Sequence, residues 1–147
     1  GNAANRRQNA NGVDLNRNFD SGDWQAIGQG TEKYSGPSAA SEPETQALQS
    51  FITSTRPKLA VWWHQVGNHV DDNRDVANYS LLGQFGVLTM QPVLSTSCVT
   101  VCAGTATSFM NRTVSGATSF VVEMPSSYSD STVRSQANGF LTVAARS

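Results

Sequence analysis

Charge is scarce in this 147-residue sequence: Asp, Glu, Lys and Arg make up 14% of it, and the formal net charge is −1. So near-neutral a chain lacks the polybasic footprint of nucleic-acid binders and of proteins held to anionic membranes, and neither is expected as a partner. Long apolar runs are missing as well. No stretch of about 18 apolar residues occurs, so the sequence holds no candidate membrane span. The opening residues, GNAANRRQNANG, are polar throughout and contain no signal-peptide core. Cysteine is limited to Cys98 and Cys102, too few for a four-ligand structural metal site. Neither a heptad run nor an internal repeat is present, which excludes coiled coils and solenoids.

Uncharged polarity takes the place of charge: Ser, Thr, Asn and Gln supply 51 of the 147 residues, while lysine occurs twice. We expect a secreted protein. In an oxidising compartment Cys98 and Cys102 would close a short local disulfide. The alternative is two buried free thiols on a strand. The length is that of one domain and allows a real core.

The first 40 residues read as loops, dense in Asn, Gly and Ser around Val13 and Leu15. A helix is predicted next. Ser41 is its N-cap and Glu44 the partner at capping-box spacing. Pro43 is tolerated in the first turn. Ala47, Leu48, Phe51 and Ile52 share one face, and Pro57 ends the helix. LAVWWH (59–64) reads as a buried strand of a parallel or mixed sheet. Segment 74–84 is weakly helical, and FGVLTM (85–90) reads as another strand. ATSFVV (117–122) is a strand followed at once by Glu123. A last helix starts at Ser131 and carries Val133, Ala137, Phe140, Leu141 and Ala144 at helical spacing. Strands alternating with helices predict an α/β fold, a mixed, mostly parallel sheet flanked by helices.

Two of these strands end on ionisable residues, His64 and Glu123. Ligand sites in open α/β sheets lie beyond the carboxyl ends of strands, so both are candidates for one cleft. The plainer alternatives are a satisfied core histidine and a carboxylate paired with an arginine at the sheet edge. A third cluster, GVDLNRNFD (12–20), sets Asn16 and Arg17 beside Asp14. A planar guanidinium next to a carboxamide suits two-point binding of a carboxylate; a structural Asx turn with a solvated arginine is the alternative.

In order along the chain, Arg7-Gln8-Asn9, GVDLNRNF, YSGPSAASEPETQAL (34–48), the strand-terminal His64 and the strand-terminal Glu123 resemble the zinc carboxypeptidases of the carboxypeptidase A type. WWHQVGNHVD and GTATSFMNRTVSGATSFVVE look most like bacterial members that trim cell-wall peptides. The resemblance runs from about Asn5 to the last helix. It implies a zinc-dependent hydrolase of a C-terminal peptide bond or a peptidoglycan stem-peptide bond, with Zn2+ as cofactor. It implies His64 as a zinc ligand, Glu123 as general base, Asn16 and Arg17 as the pair binding the substrate carboxylate, and Arg7, with Arg6 adjacent, as oxyanion stabiliser. A fixed cation at a developing oxyanion is typically worth a few kcal/mol.

The sequence departs from that family in two ways. The HxxE motif supplying the first two zinc ligands is absent, and a catalytic zinc site needs about three protein ligands. No tyrosine lies between Tyr79 and Tyr128 to cap the substrate. The resemblance therefore implies that residues 1–147 form the C-terminal part of a catalytic domain lacking its N-terminal portion. That chain alone would bind zinc weakly or not at all, and would work with an N-terminal fragment of the same precursor. A catalytically incomplete fragment or carboxylate-binding module is the second reading. A rewired metal site on His64, His69 and Asp71 or Asp72 is the third. The small, uncharged residues of 104–108 argue weakly against a charged side-chain preference.

Overall fold

The computed structural model describes residues 6–72, 78–95 and 102–147. The elements follow one another as α1 (Pro43–Thr55), β1 (Leu59–Gln65), β2 (His69–Asp71), α2 (Tyr79–Thr89), β3 (Val93–Leu94), α3 (Ala106–Thr113), β4 (Thr118–Met124) and α4 (Asp130–Ala144), with a 3-10 turn at Leu15–Arg17 ahead of them. They fall into two compact units, Gly1–Arg56 with Val101–Ser115 and Pro57–Thr100 with Gly116–Ser147.

The second unit is built on a sheet of order β1-β4-β2-β3. β1 is parallel to β4 and β3 to β2, while β2 and β4 are antiparallel. The sheet is mixed and mostly parallel, as the strand and helix alternation predicts. Residues opposite one another in register share a face. Leu59, Val61 and Trp63 of β1 stand opposite Thr118, Phe120 and Val122 of β4, and Val70 of β2 also stands opposite Val122. On this face Val70, Phe120, Val122 and Met124 pack with Leu81, Leu82 and Phe85 of α2 and Val143 of α4 into one buried apolar cluster. Phe85 meets Phe120 edge-on, with centroids 5.2 Å apart. Burial of such side chains contributes about 1.5–3 kcal/mol each.

Several expectations are corrected here. FGVLTM is not a strand, because it continues helix α2. Asn78 caps that helix, its side chain accepting from the Leu81 amide, and Leu81, Leu82, Phe85 and Thr89 then fall on one buried helical face. β1 is only half-buried: it is an edge strand, and a sequence run cannot distinguish an edge from a centre. α4 starts two residues earlier than expected, because Ser129 rather than Ser131 is its N-cap and forms a reciprocal box with Thr132. It buries Gln136, Gly139 and Val143, while Val133 and Leu141 remain exposed along an open apolar groove that Trp63, Tyr128 and Phe140 also line.

In the first unit, α1 is confirmed from Pro43 and ends before Pro57, with Arg56 in the left-handed conformation. Its N-cap is Glu42, without a side-chain cap bond. Ser41 does not cap, because its hydroxyl donates to Glu42 Oε1 and accepts from Asn18 Nδ2. Of the expected apolar face only Ile52 is buried, and Phe51 is 59% exposed. The loops before α1 are held by buried polar groups. Asn18 Nδ2 reaches the Ser35 and Ser38 carbonyls, and its Oδ1 accepts from the Glu42 amide. The proposed Cys98–Cys102 bridge has one end, Cys98, outside the described residues. Among those residues no helix is long and apolar enough to cross a membrane.

Candidate functional site

Each unit carries one group of the site residues named from the sequence. In the sheet unit, His64 of β1 and His69 of β2 both stand opposite Glu123 of β4. The register therefore sets His64, Glu123 and His69 in one row, on the face turned away from the apolar cluster. Glu123 lies one residue inside the end of β4 rather than beyond it. His64 Nδ1 and Glu123 Oε1 are 3.7 Å apart, with the two side chains 35% and 22% exposed. That separation is longer than a hydrogen bond, so neither group is committed to the other. Glu123 is thus brought to an imidazole, not to the sheet-edge arginine of the plainer alternative. His69 Nε2 is buried without a hydrogen-bond partner.

In the loop unit the segment Asp14–Arg17 is fixed by its own side chains. Asp14 Oδ1 accepts from the Asn16 amide and so starts the 3-10 turn. Asp14 Oδ2 takes Arg7 Nε at 2.7 Å. Arg6 is exposed. Asn16 Oδ1 accepts from the Ala106 amide at 3.0 Å, which ties this turn to the start of α3. Gly104 holds φ +67° against the Arg17 carbonyl, where a Cβ would collide with that oxygen. Arg17 is buried to 7% exposure; its Nη1 donates to the Asn16 carbonyl and its Nε has no partner. Burial lowers the pKa of the Arg17 guanidinium, Asp14 opposes that change, and Arg7 adds to it. A buried guanidinium with an unanswered donor carries a desolvation cost, which an anion within reach would offset. Asp14 was legible in the sequence as a neighbour of Asn16 and Arg17. Its double duty, as turn cap and as Arg7's counter-ion, was not.

Zinc can be tested against the donors. Among the described residues no three His, Cys, Asp or Glu side chains converge on one point, and a catalytic zinc takes about three protein ligands. His64 offers one imidazole. These residues do not fit a complete zinc site by themselves, and the grouping of His64 and His69 with Asp71 or Asp72 is not assembled either.

The family model for zinc carboxypeptidases matches residues 2–84. Murein peptide amidase A of Escherichia coli strain K12 is 36% identical over 105 residues, a match covering 62% of this chain and 40% of that protein. The chain thus spans well under half of the length of this curated relative. Among solved structures, the murein-tripeptide amidase MpaA from Escherichia coli O157 superposes with a TM-score of 0.66 at 24% identity, over 94% of this chain and 59% of that one. Carboxypeptidase A from Helicoverpa armigera gives a TM-score of 0.74 at 18% identity, over 91% and 41%. These two likenesses bear on the fold; the family match, which covers more than half of the sequence, shows the family, and the chain belongs to the zinc carboxypeptidases.

Proposed function

We propose that residues 1–147 are the C-terminal part of the catalytic domain of a zinc-dependent hydrolase. It cuts a C-terminal peptide bond, or a stem-peptide bond of the kind that the name of the Escherichia coli relative implies. The observation that carries this reading is the pairing of His64 with Glu123 at the carboxyl ends of two parallel strands, 3.7 Å apart and partly exposed. Glu123 takes a proton from the attacking water and hands it to the leaving amine. Arg17, buried with an unanswered Nε, and Asn16 hold the substrate's carboxylate. Arg7 steadies the developing oxyanion. His64 is one ligand of a zinc whose remaining ligands come from a further segment. The edge strand β1 supports that addition: it spans seven residues, His64 is its only ionisable side chain, and among the described residues it has a β-partner on one side alone. An uncharged edge of that length is what a further strand pairs with. The polar, lysine-poor composition supports a secreted location.

In the complete protein, Glu123→Gln is expected to keep substrate binding and to cut turnover by about 10² to 10⁴. Cleavage of a peptide with a free C-terminal carboxylate, followed by mass spectrometry, measures this. Turnover close to the wild type would remove Glu123 from the mechanism. The second reading, a module that binds carboxylate termini without cleaving them, is favoured by Arg17 alone. It predicts saturable peptide binding, abolished in Arg17→Met, with no product in any variant.

A further inference from the structure

β1 and β2 flank β4, so the connection between them has to cross the end of β4. Three residues, Val66, Gly67 and Asn68, make that crossing between Gln65 and His69. Two inter-strand spacings amount to roughly 10 Å, and the four Cα steps from Gln65 to His69 reach about 14 Å at full stretch. The loop has little slack and runs close over the carboxyl end of β4. Its Gly67 amide donates to the Met124 carbonyl at 3.1 Å. Asn68 adopts a φ of +62°, which turns the chain down into β2.

At Gly67 there is no space for a side chain. A Cβ there would stand 2.6 Å from Glu123 Cβ, 2.6 Å from His69 Cε1 and 2.7 Å from His69 Nδ1. All three distances are well inside van der Waals contact. Glu123 Cβ is the root of its side chain, not a flexible tip, so it cannot yield without moving the carboxylate. On its other flank Glu123 faces His64. The His69 ring, with no partner on Nε2, is held on this side by packing.

We propose that Gly67 is a positioning residue for Glu123: the short crossing loop seats against the root of that side chain and fixes where its carboxylate stands opposite His64. The purpose of the positioning rests on the reading of Glu123 as the proton-carrying group; the geometry does not.

Crystal structures of the wild-type chain and its Gly67→Ala variant read the His64 Nδ1 to Glu123 Oε1 separation directly. The expected result is an unchanged sheet register with the separation lengthened by about 1 Å, a displacement large enough to lower turnover about 10²-fold. A variant in which the loop moves while the pair keeps its wild-type separation overturns the proposal. Should Gly67→Ala fail to fold, Gly67→Ala/His69→Gly decides. It removes the ring collision and leaves the Glu123 collision, so the pair is expected to stay displaced, and its return to the wild-type separation overturns the proposal. Where the protein turns over peptide, kcat per folded molecule, with the folded fraction fixed by circular dichroism, falls in Gly67→Ala and KM holds; a general loss of stability would leave kcat per folded molecule unchanged. A wild-type protein with no turnover sinks the hydrolase reading and leaves the crystallographic comparison to decide this one.

Discussion

The two units of this protein are held together by different physics. The sheet unit has an apolar cluster, with Phe85, Phe120, Val70, Val122 and Val143 all at 0% exposure. The loop unit also has buried apolar residues, Val13, Phe19 and Met110 among them. What shapes its first 40 residues, however, is a set of buried polar side chains: Asp14, Arg17, Asn18 and Glu42, at 3%, 7%, 0% and 3% exposure. Apolar burial is non-directional and tolerates small shifts. A buried hydrogen-bond network is all or nothing, because each group left unanswered costs its full desolvation. Loops with little regular structure acquire one conformation in this second way. The teaching is that the unit presenting Arg7, Asn16 and Arg17 gets its precision from polar satisfaction, whereas the unit presenting His64 and Glu123 gets it from strand register.

That contrast can be broken at its strongest point by removing the centre of the apolar cluster. Phe120→Ala deletes a fully buried ring that meets Phe85 edge-on. It is expected to cost about 4 kcal/mol in urea unfolding, with little dependence on pH. A loss below about 1 kcal/mol would mean that the sheet unit does not rely on this cluster.

Asn18→Ala tests the other unit. It leaves the Ser35 and Ser38 carbonyls and the Glu42 amide without their side-chain partner, and is expected to cost about 3 kcal/mol. Asn18→Leu, similar in size but apolar, should be no better. Recovery of stability by leucine would show that packing, not hydrogen bonding, holds these loops.

The smallest effect sharpens the comparison through pH. Burial raises the Glu42 pKa, but hydrogen bonds from Asn9, Asn11 and Ser41 outweigh it, and the net direction is below the ordinary 4.5. A carboxyl with a lowered folded-state pKa adds stability above its unfolded value and loses it as pH falls through the folded one. Wild-type stability should therefore decline once pH drops below about 4.5. Glu42→Gln should cost about 2 kcal/mol at pH 7 and show a shallower acid decline. Parallel acid profiles for the two proteins would take Glu42 out of the network.

The sequence was legible where a signal was local. The run LAVWWH, Pro57 as a helix stop, and the clustering of Asn16 and Arg17 needed only neighbours a few positions away. It misled where tertiary context decides. YSLLGQFGVLT is apolar on every side and interrupted by Gly83 and Gly86, so its helical period is hidden, and its second half read as a strand. Ser41 has the capping-box spacing, yet Asn18, far away in sequence, takes its hydroxyl. For the candidate site, His64 and Glu123 could be named from their places at strand ends. Their direct opposition is a property of register, which no short stretch encodes. Gly67 carried no sequence signal at all, because a glycine in a polar loop looks the same whether it is loose or wedged.

The strand order also says something about how this chain comes to be folded. β4 lies between β1 and β2, yet among the described residues it is the last strand in the sequence. β1 and β2 do not pair with each other; each pairs with a strand that has still to arrive, so both wait with open backbone edges while the residues between Asp71 and Thr118 are made. Non-local pairing of this kind is slow, since loop closure must precede any gain from contact. Until the central strand slots in beneath the crossing loop, the nascent sheet presents the open edges of β1 and β2 to any neighbouring chain, and the interval before β4 emerges is when this protein is most exposed to aggregation.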